Sequence, residues 1–259
     1  MSPYWRTQAV AFVTILRREC LRILRIWPQT LFPSAITMTL YFVIFGSIIG
    51  RRVGLMDGVP YMAYIAPGLV MMAVITNSYS NVVSSFFGAK FSRYVEELLV
   101  APVADVVVLL GYMGGGMIRG LTTGLIVTGV ALFFAHLEIR HPWIMLTTVL
   151  ITSATFSLAG FLNALFARKF DDISIIPTFV LTPLTYLGGV FYSIRVLPPF
   201  WRRLTRFNPI LYMVNAFREG VLGVSDIGMV RAYTMMSLFL ALFFIAAYVV
   251  LHRARGLKS

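Results

Sequence analysis

Charged positions along this chain are so widely spaced that the intervals between them carry the first structural signal. Five intervals contain no Asp, Glu, Lys or Arg: Ile26 to Gly50, Gly58 to Ala89, Pro142 to Ala167, Ile173 to Ile194 and Ala232 to Leu251. A sixth, Val106 to Leu137, is interrupted only by Arg119. A helix needs about 20 apolar residues to cross the hydrocarbon core of a bilayer, and each interval reaches that length. Backbone groups in lipid have no water to bond, so the intervals read as helices that satisfy their own backbone. The pattern predicts an all-α integral membrane protein with six spans, at 31–50, 61–84, 111–135, 142–166, 173–193 and 232–251.

Two further segments have an apolar face but not the length to cross. Over 3–27, Phe12, Leu16, Cys20, Ile23 and Trp27 recur at helical spacing while Arg18, Arg22 and Arg25 share another face, which predicts an amphipathic helix on the membrane surface. No small-residue cleavage pattern follows it, so it is expected to be retained. After Pro198-Pro199, the residues Phe200, Trp201, Leu204 and Phe207 fall on one helical face and Arg202, Arg203 and Arg206 elsewhere. Asn208-Pro209 then reads as the N-cap and first-turn proline of a second short helix, closed by Gly220 or Gly223. Residues 195–225 are therefore expected to form a re-entrant helical hairpin before the last span.

Composition agrees: 59% of the residues are hydrophobic, 12% are charged and the mean hydropathy is +0.83, which leaves no room for a soluble domain. The net charge of +12 would suggest nucleic acid in a soluble protein, but here the basic residues sit between apolar runs, where they meet lipid headgroups and set topology. Six spans place both termini on one side. A cytoplasmic location for the termini gathers Arg6, Arg17, Arg18, Arg22, Arg25, Lys90, Arg93, Arg168, Lys169, Arg253, Arg255 and Lys258 inside, twelve of 22 basic residues. Arg195, Arg202, Arg203, Arg206, Arg218 and Arg231 then fall outside, held at the interface by the hairpin. Cys20 is the one cysteine, so no intrachain disulfide forms, and His136, His141 and His252 are scattered too widely to suggest a metal site.

All ten acidic residues fall outside the centre of a span, so the carboxylates by which proton- and sodium-coupled carriers bind their ion are missing. The three lysines follow Ala89, Arg168 and Leu257, none in a Gly-Lys-Ser/Thr phosphate loop. Energy for transport is thus expected from outside the chain, with no cofactor bound within it. The glycine run from Gly111 to Gly120 has no βαβ context, and Gly116, Gly120 and Gly124 at four-residue spacing read as a seam for close helix packing. Arg119 either snorkels and pairs with backbone carbonyls or faces a substrate path. Pro177, Thr182, Pro183, Gly188 and Gly189 mark the fifth span as kinked, either as plain bends or as the element that moves during gating. Between the second and third spans, Lys90 to Pro102 reads as a short charged helix, either a solvated connector or a helix offering Glu96, Glu97, Leu98 and Leu99 to a cytosolic partner.

Arg25-Ile-Trp-Pro-Gln-Thr-Leu31, Pro67-Gly68, Ser85-Phe-Phe-Gly-Ala-Lys90, Glu96-Glu-Leu-Leu-Val-Ala-Pro102, Phe170-Asp-Asp-Ile173, Thr182-Pro183, Gly188-Gly-Val-Phe-Tyr192, Leu197-Pro-Pro199, Asn208-Pro209 and Arg218 are each weak alone but specific in their order and spacing. With them the sequence resembles the ABC-2 type transport permease family, in particular its YadH-like inner-membrane branch, over nearly its whole length. The resemblance implies a single transmembrane domain over 1–259 in the inner (plasma) membrane that homodimerises and docks two copies of a cytosolic ABC ATPase, which binds the ATP and Mg. It further implies that the segment 94–102, with Arg93, Tyr94, Glu96, Glu97, Leu98, Leu99 and Pro102, is the coupling helix, and that residues 195–225 are an extracellular re-entrant hairpin. An ATP-driven exporter subunit, not itself an enzyme, is the function so implied. A secondary carrier or channel is the alternative, and an intramembrane enzyme would need an acid/base pair that the sequence lacks.

Overall fold

A computed structural model describes residues 3–256 and shows a helical bundle with one two-residue β-hairpin. Helix α1 (Pro3–Arg25) leads into α2 (Trp27–Tyr41), whose helical course continues through a π-helical stretch, Phe42–Ile49, and α3 (Gly50–Val53) to make one 27-residue apolar rod. Strands β1 (Leu55–Met56) and β2 (Val59–Pro60) pair antiparallel across Asp57-Gly58, both at positive φ as a two-residue hairpin turn requires. There follow α4 (Tyr61–Phe91), α5 (Tyr94–Val100), α6 (Asp105–Phe134) and α7 (Pro142–Phe166). A shorter apolar helix runs over Asp172–Leu187 as α8 (Asp172–Ile176), a π-helical turn, Pro177–Leu181, and α9 (Thr182–Leu187). The chain ends in α10 (Pro199–Thr205), α11 (Pro209–Leu222) and α12 (Met229–Gly256).

Helix α4 is the axis of the bundle and is buried on nearly every side by α6, α7 and α11. Close approach is set by glycines. A Cβ on Gly160 of α7 would strike the Tyr79 carbonyl of α4, and one on Gly68 of α4 would lie 2.6 Å from the Val190 carbonyl. Outside this core, α1 and α2 lean on α6, and α12 on α7. Five helices among the described residues are long and apolar enough to cross a membrane: Trp27–Val53, Tyr61–Phe91, Asp105–Phe134, Pro142–Phe166 and Met229–Ala254.

The boundaries differ from those the charges predict. Helix α4 runs past 84 to Phe91 and includes Lys90, because the Lys90 ammonium donates to the carbonyls of Leu165 and Ala167, each at 2.7 Å, and caps the end of α7. The charged connector therefore contributes only Tyr94–Val100 as a helix. Helix α6 begins at Asp105 rather than 111, an acid suited to a helix N-terminus. The fifth span is the largest correction. It was expected over 173–193, but its helix stops at Leu187, where Gly189 turns the chain at φ 74°. Sixteen residues at about 1.5 Å each give roughly 24 Å, short of a hydrocarbon core of about 30 Å.

Candidate functional site

Two ends of the bundle gather the residues that the sequence singles out. At the first, Arg93 takes a left-handed conformation (φ 63°) and turns the chain out of α4 into α5. Val95 is buried and Leu98 packs on the core, so α5 is anchored along one side. Tyr94 and Val100 point outward, the latter 85% exposed, and Glu97 is exposed beside them. The side chains of Glu96 and Leu99 lie outside the described residues. The segment after α5 is pinned by Gln8 of α1, which donates to the Pro102 carbonyl at 3.0 Å and accepts from the Ala104 amide at 2.8 Å. His252 of α12 contacts the Asp105 carboxylate at 2.8 Å, which ties the chain's last helix to the same end.

Beside α5 lies a polar network that the sequence pattern missed. Glu19 of α1 is fully buried, and its carboxylate accepts from Ser85 and, at 3.5 Å, from Asn81, both on α4. Arg22 lies 3.4 Å from Glu19 and donates to the side-chain and main-chain oxygens of Asn81 at 2.7 and 2.9 Å. Arg18 donates to the Tyr112 hydroxyl of α6. Glycine makes room for this: a Cβ on Gly115 would lie 2.6 Å from Glu19, and one on Gly111 equally close to Ile15. The arginines expected on a headgroup-facing surface are thus in part turned inward. A signal was available, since Gln8, Ile15, Glu19 and Ile23 share one face of α1.

The short helix α8–α9 begins at the α5 end, beside the C-terminal end of α7, and runs to the opposite end, where α11 and the loop after α9 lie; side-chain hydrogen bonds hold it to its neighbours. Pro177 has no N–H for the Ile173 carbonyl, and Asn163 of α7 donates to that carbonyl at 3.3 Å. Pro183 likewise cannot continue the ladder; the turn widens to π geometry, and the Thr182 hydroxyl donates to the Pro177 carbonyl at 2.9 Å. Asn208 caps α11 by accepting from the Ile210 amide at 3.0 Å and donates its own amide to the Leu184 carbonyl at 2.6 Å. Gly223, in a left-handed conformation, closes α11.

Arg218, expected at the interface, is instead 1% exposed within the protein. Its guanidinium lies 4.0 Å over the Tyr64 ring and donates to the carbonyls of Gly189, at 2.6 Å, and Tyr64, at 3.3 Å. Asp226 locks the following loop by accepting from the Ser193 hydroxyl at 2.7 Å, the Ile194 amide at 3.0 Å and the Arg195 guanidinium at 3.0 Å. Pro198 and Pro199 start α10, and Arg202 donates back to the carbonyls of Arg195 and Leu197. Phe200, Trp201 and Leu204 of α10 and Phe207 after it are exposed, as are Arg203 and Arg206.

Between the ends, the seam of α6 is filled from within the chain. Gly116 faces Val82 and Ser157, Gly120 faces Ser78 and Gly124 faces Val74. Arg119 sits half-buried on the same helix, its Nε enclosed without a hydrogen-bond partner. Among the described residues no group of three His, Cys, Asp or Glu side chains lies close enough to hold a metal.

The model of the family described as ABC-2 type transporter matches residues 10–222, from within α1 to the end of α11. The chain belongs to the ABC-2 type transporter family. This permease is 53% identical, over the full length of both chains, to the inner membrane transport permease YadH of Escherichia coli strain K12. It is 23% identical to nodulation protein J of Neorhizobium galegae, over 89% of this chain and 91% of that one. Nodulation protein J of Rhizobium leguminosarum bv. viciae is 25% identical over 71% of each. The permease is thus a multi-pass membrane component of an ABC transporter, and its ends and faces can be read in those terms.

Proposed function

We propose that the chain is the membrane-spanning subunit of an ATP-driven exporter of the inner membrane, working as a homodimer with two copies of a cytosolic ATPase that binds the ATP and Mg. The observation that carries this reading is α5: a seven-residue helix anchored through Val95, with Tyr94, Glu97 and Val100 presented outward at one end of the bundle. A helix so placed offers apolar knobs and an acidic charge to a groove on a soluble partner. Both termini then lie on the cytoplasmic side with α5, and Glu96, Glu97, Leu98, Leu99 and Pro102 belong to the coupling segment.

Asp172–Leu187 serves as the sixth crossing in this reading. The crossing is completed by the non-helical stretch after it, which is allowed at membrane depth only where protein covers the backbone. Val190, Phe191, Ser193 and Ile194 are all buried, which supports that arrangement. The α10–α11 hairpin is then the re-entrant element on the extracellular side, and α8–α9, bonded to it through Asn208 and followed by the Gly189 carbonyl that Arg218 holds, the element positioned to move with it.

The test is ATPase activity of the reconstituted complex with its cognate ATPase. The double variant Glu96→Lys with Glu97→Lys is expected to lower membrane-subunit-dependent hydrolysis by at least about tenfold, since a reversed charge in a docking groove costs on the order of 1.4 kcal/mol or more. Unchanged hydrolysis would remove α5 from the coupling role. Solute movement by the chain alone would favour a secondary carrier or channel.

A further inference from the structure

Next to α5, between α1 and α4, an open cavity of about 470 Å³ is lined by Arg18, Arg22, Arg25, Ser84, Ser92 and Tyr94 among others. Three arginines and three serines line it; the Ser84 hydroxyl already donates to main-chain carbonyls of α4 and the Ser85 hydroxyl to Glu19, which leaves the Ser92 hydroxyl to donate, and Glu19 is the acid that meets the arginines among the described side chains. Glu19 is occupied: its carboxylate is buried beneath the arginines and bonded to Ser85 and Asn81. Two positive charges are therefore left without an acid in a space large enough for a small ligand. Arg22 is held by Asn81 and Glu19, so its guanidinium is fixed at the wall of the cavity. Arg25 lines the cavity from an exposed position, with no side-chain partner among the described residues.

We propose that this cavity binds a phosphate group. Guanidinium forks and hydroxyl donors are the groups that match phosphate oxygens, and Arg18, Arg22 and Arg25, on one face of α1, line the cavity together with Ser92. Leu21 lines the same cavity, and Leu21, Leu24 and Trp27 are exposed alongside it, an apolar strip suited to the acyl chains of a phosphate-bearing lipid. A soluble phosphate would use the same donors without that strip.

Purified full-length protein in detergent is titrated with phosphatidic acid and, separately, with diacylglycerol of the same acyl chains, and bound lipid is read by native mass spectrometry. Phosphatidic acid is expected to bind at least tenfold more tightly than diacylglycerol. Arg25→Gln should weaken it about tenfold and Ser92→Asp should bring it down to the diacylglycerol level, while Arg17→Gln, which removes the same charge from an exposed position outside the cavity, should change it less than twofold. Inorganic phosphate is then added as competitor: displacement at equal concentration identifies a soluble phosphate as the occupant, and resistance identifies a lipid headgroup, each in keeping with the proposal. Equal binding of the two lipids, or equal weakening by Arg17→Gln and Arg25→Gln, overturns it. Arg25 is exposed, so its variant remains informative even if Ser92→Asp fails to fold.

Discussion

Two buried charges decide how the ends of the bundle are held. Removing the reach of Arg218 leaves the Gly189 carbonyl unpaired inside the protein, and a lysine can neither fork between two carbonyls nor lie flat on Tyr64. Arg218→Lys is expected to destabilise the protein by about 2 kcal/mol, read as a lower thermal unfolding midpoint in detergent, while Arg203→Lys on the exposed face of α10 should leave it unchanged. Glu19 offers a second test because Cys20 beside it is half-buried and is the one thiol in the chain. Glu19→Gln leaves Arg22 without its counter-charge and loosens α1 from α4, so maleimide labelling of Cys20 should speed up about tenfold, equivalent to roughly 1.4 kcal/mol of easier opening. Asn208 was legible in the sequence as the N-cap it is, since an Asn-Pro pair has a local meaning. The burial of Arg218 was not: a lone charge in sequence reads as solvent-facing, and only the fold shows which open carbonyls wait for it, whereas Glu19 shares one face of α1 with Gln8, Ile15 and Ile23.

Whole helices were the most legible features, because a charge-free run of membrane length has few other uses. The errors arose where a rule about charge met a tertiary partner. Lys90 and Asp105 ended the predicted spans early, yet each sits inside a helix, Lys90 on the carbonyls of α7 and Asp105 against His252. Gly188-Gly189 gave the opposite error, because an uncharged interval continues past a turn that glycine makes. The glycines of α6 face α4 and α7, and the sequence does not say that these helices rather than a second copy would lie against them. Its glycines differ in what a side chain would meet. An added methyl at Gly120 meets the Ser78 side chain, which can rotate; one at Gly160 meets the Tyr79 backbone, which cannot. Gly160→Ala should therefore cost about 1–3 kcal/mol and Gly120→Ala distinctly less, measured by thermal unfolding of the two variants side by side.

Two faces of the whole molecule remain open to the membrane or to a partner, and they differ in chemistry. On α12 the outward positions from Leu238 to Val249 are Leu238, Ala241, Leu242, Ile245, Tyr248 and Val249, a surface that lipid satisfies. The faces of α2 and of α8–α9 expose Thr37, Ser174 and Thr178 among their apolar residues, and a polar group facing acyl chains is costly unless protein or water meets it. Pro33 in the α2 rod and Pro183 in α8–α9 interrupt the helical ladder on those same exposed faces. The homodimer we propose would therefore close around α2 and α8–α9 and leave α12 to lipid. A two-fold interface brings a residue near the axis face to face with its own copy, so single cysteines report it. In a Cys20→Ser background, cysteines placed at Phe32, Ile36 and Leu40, one exposed face of α2, should give at least one oxidative disulfide dimer in native membranes, since the bond forms only when the Cα atoms come within about 7 Å. Cysteines at Leu238, Leu242 and Ile245 of α12, equally exposed in the single chain, should remain monomeric. Cross-linking through α12 with none through α2 would place the second copy on the opposite side of the bundle and move any path between copies away from α8–α9.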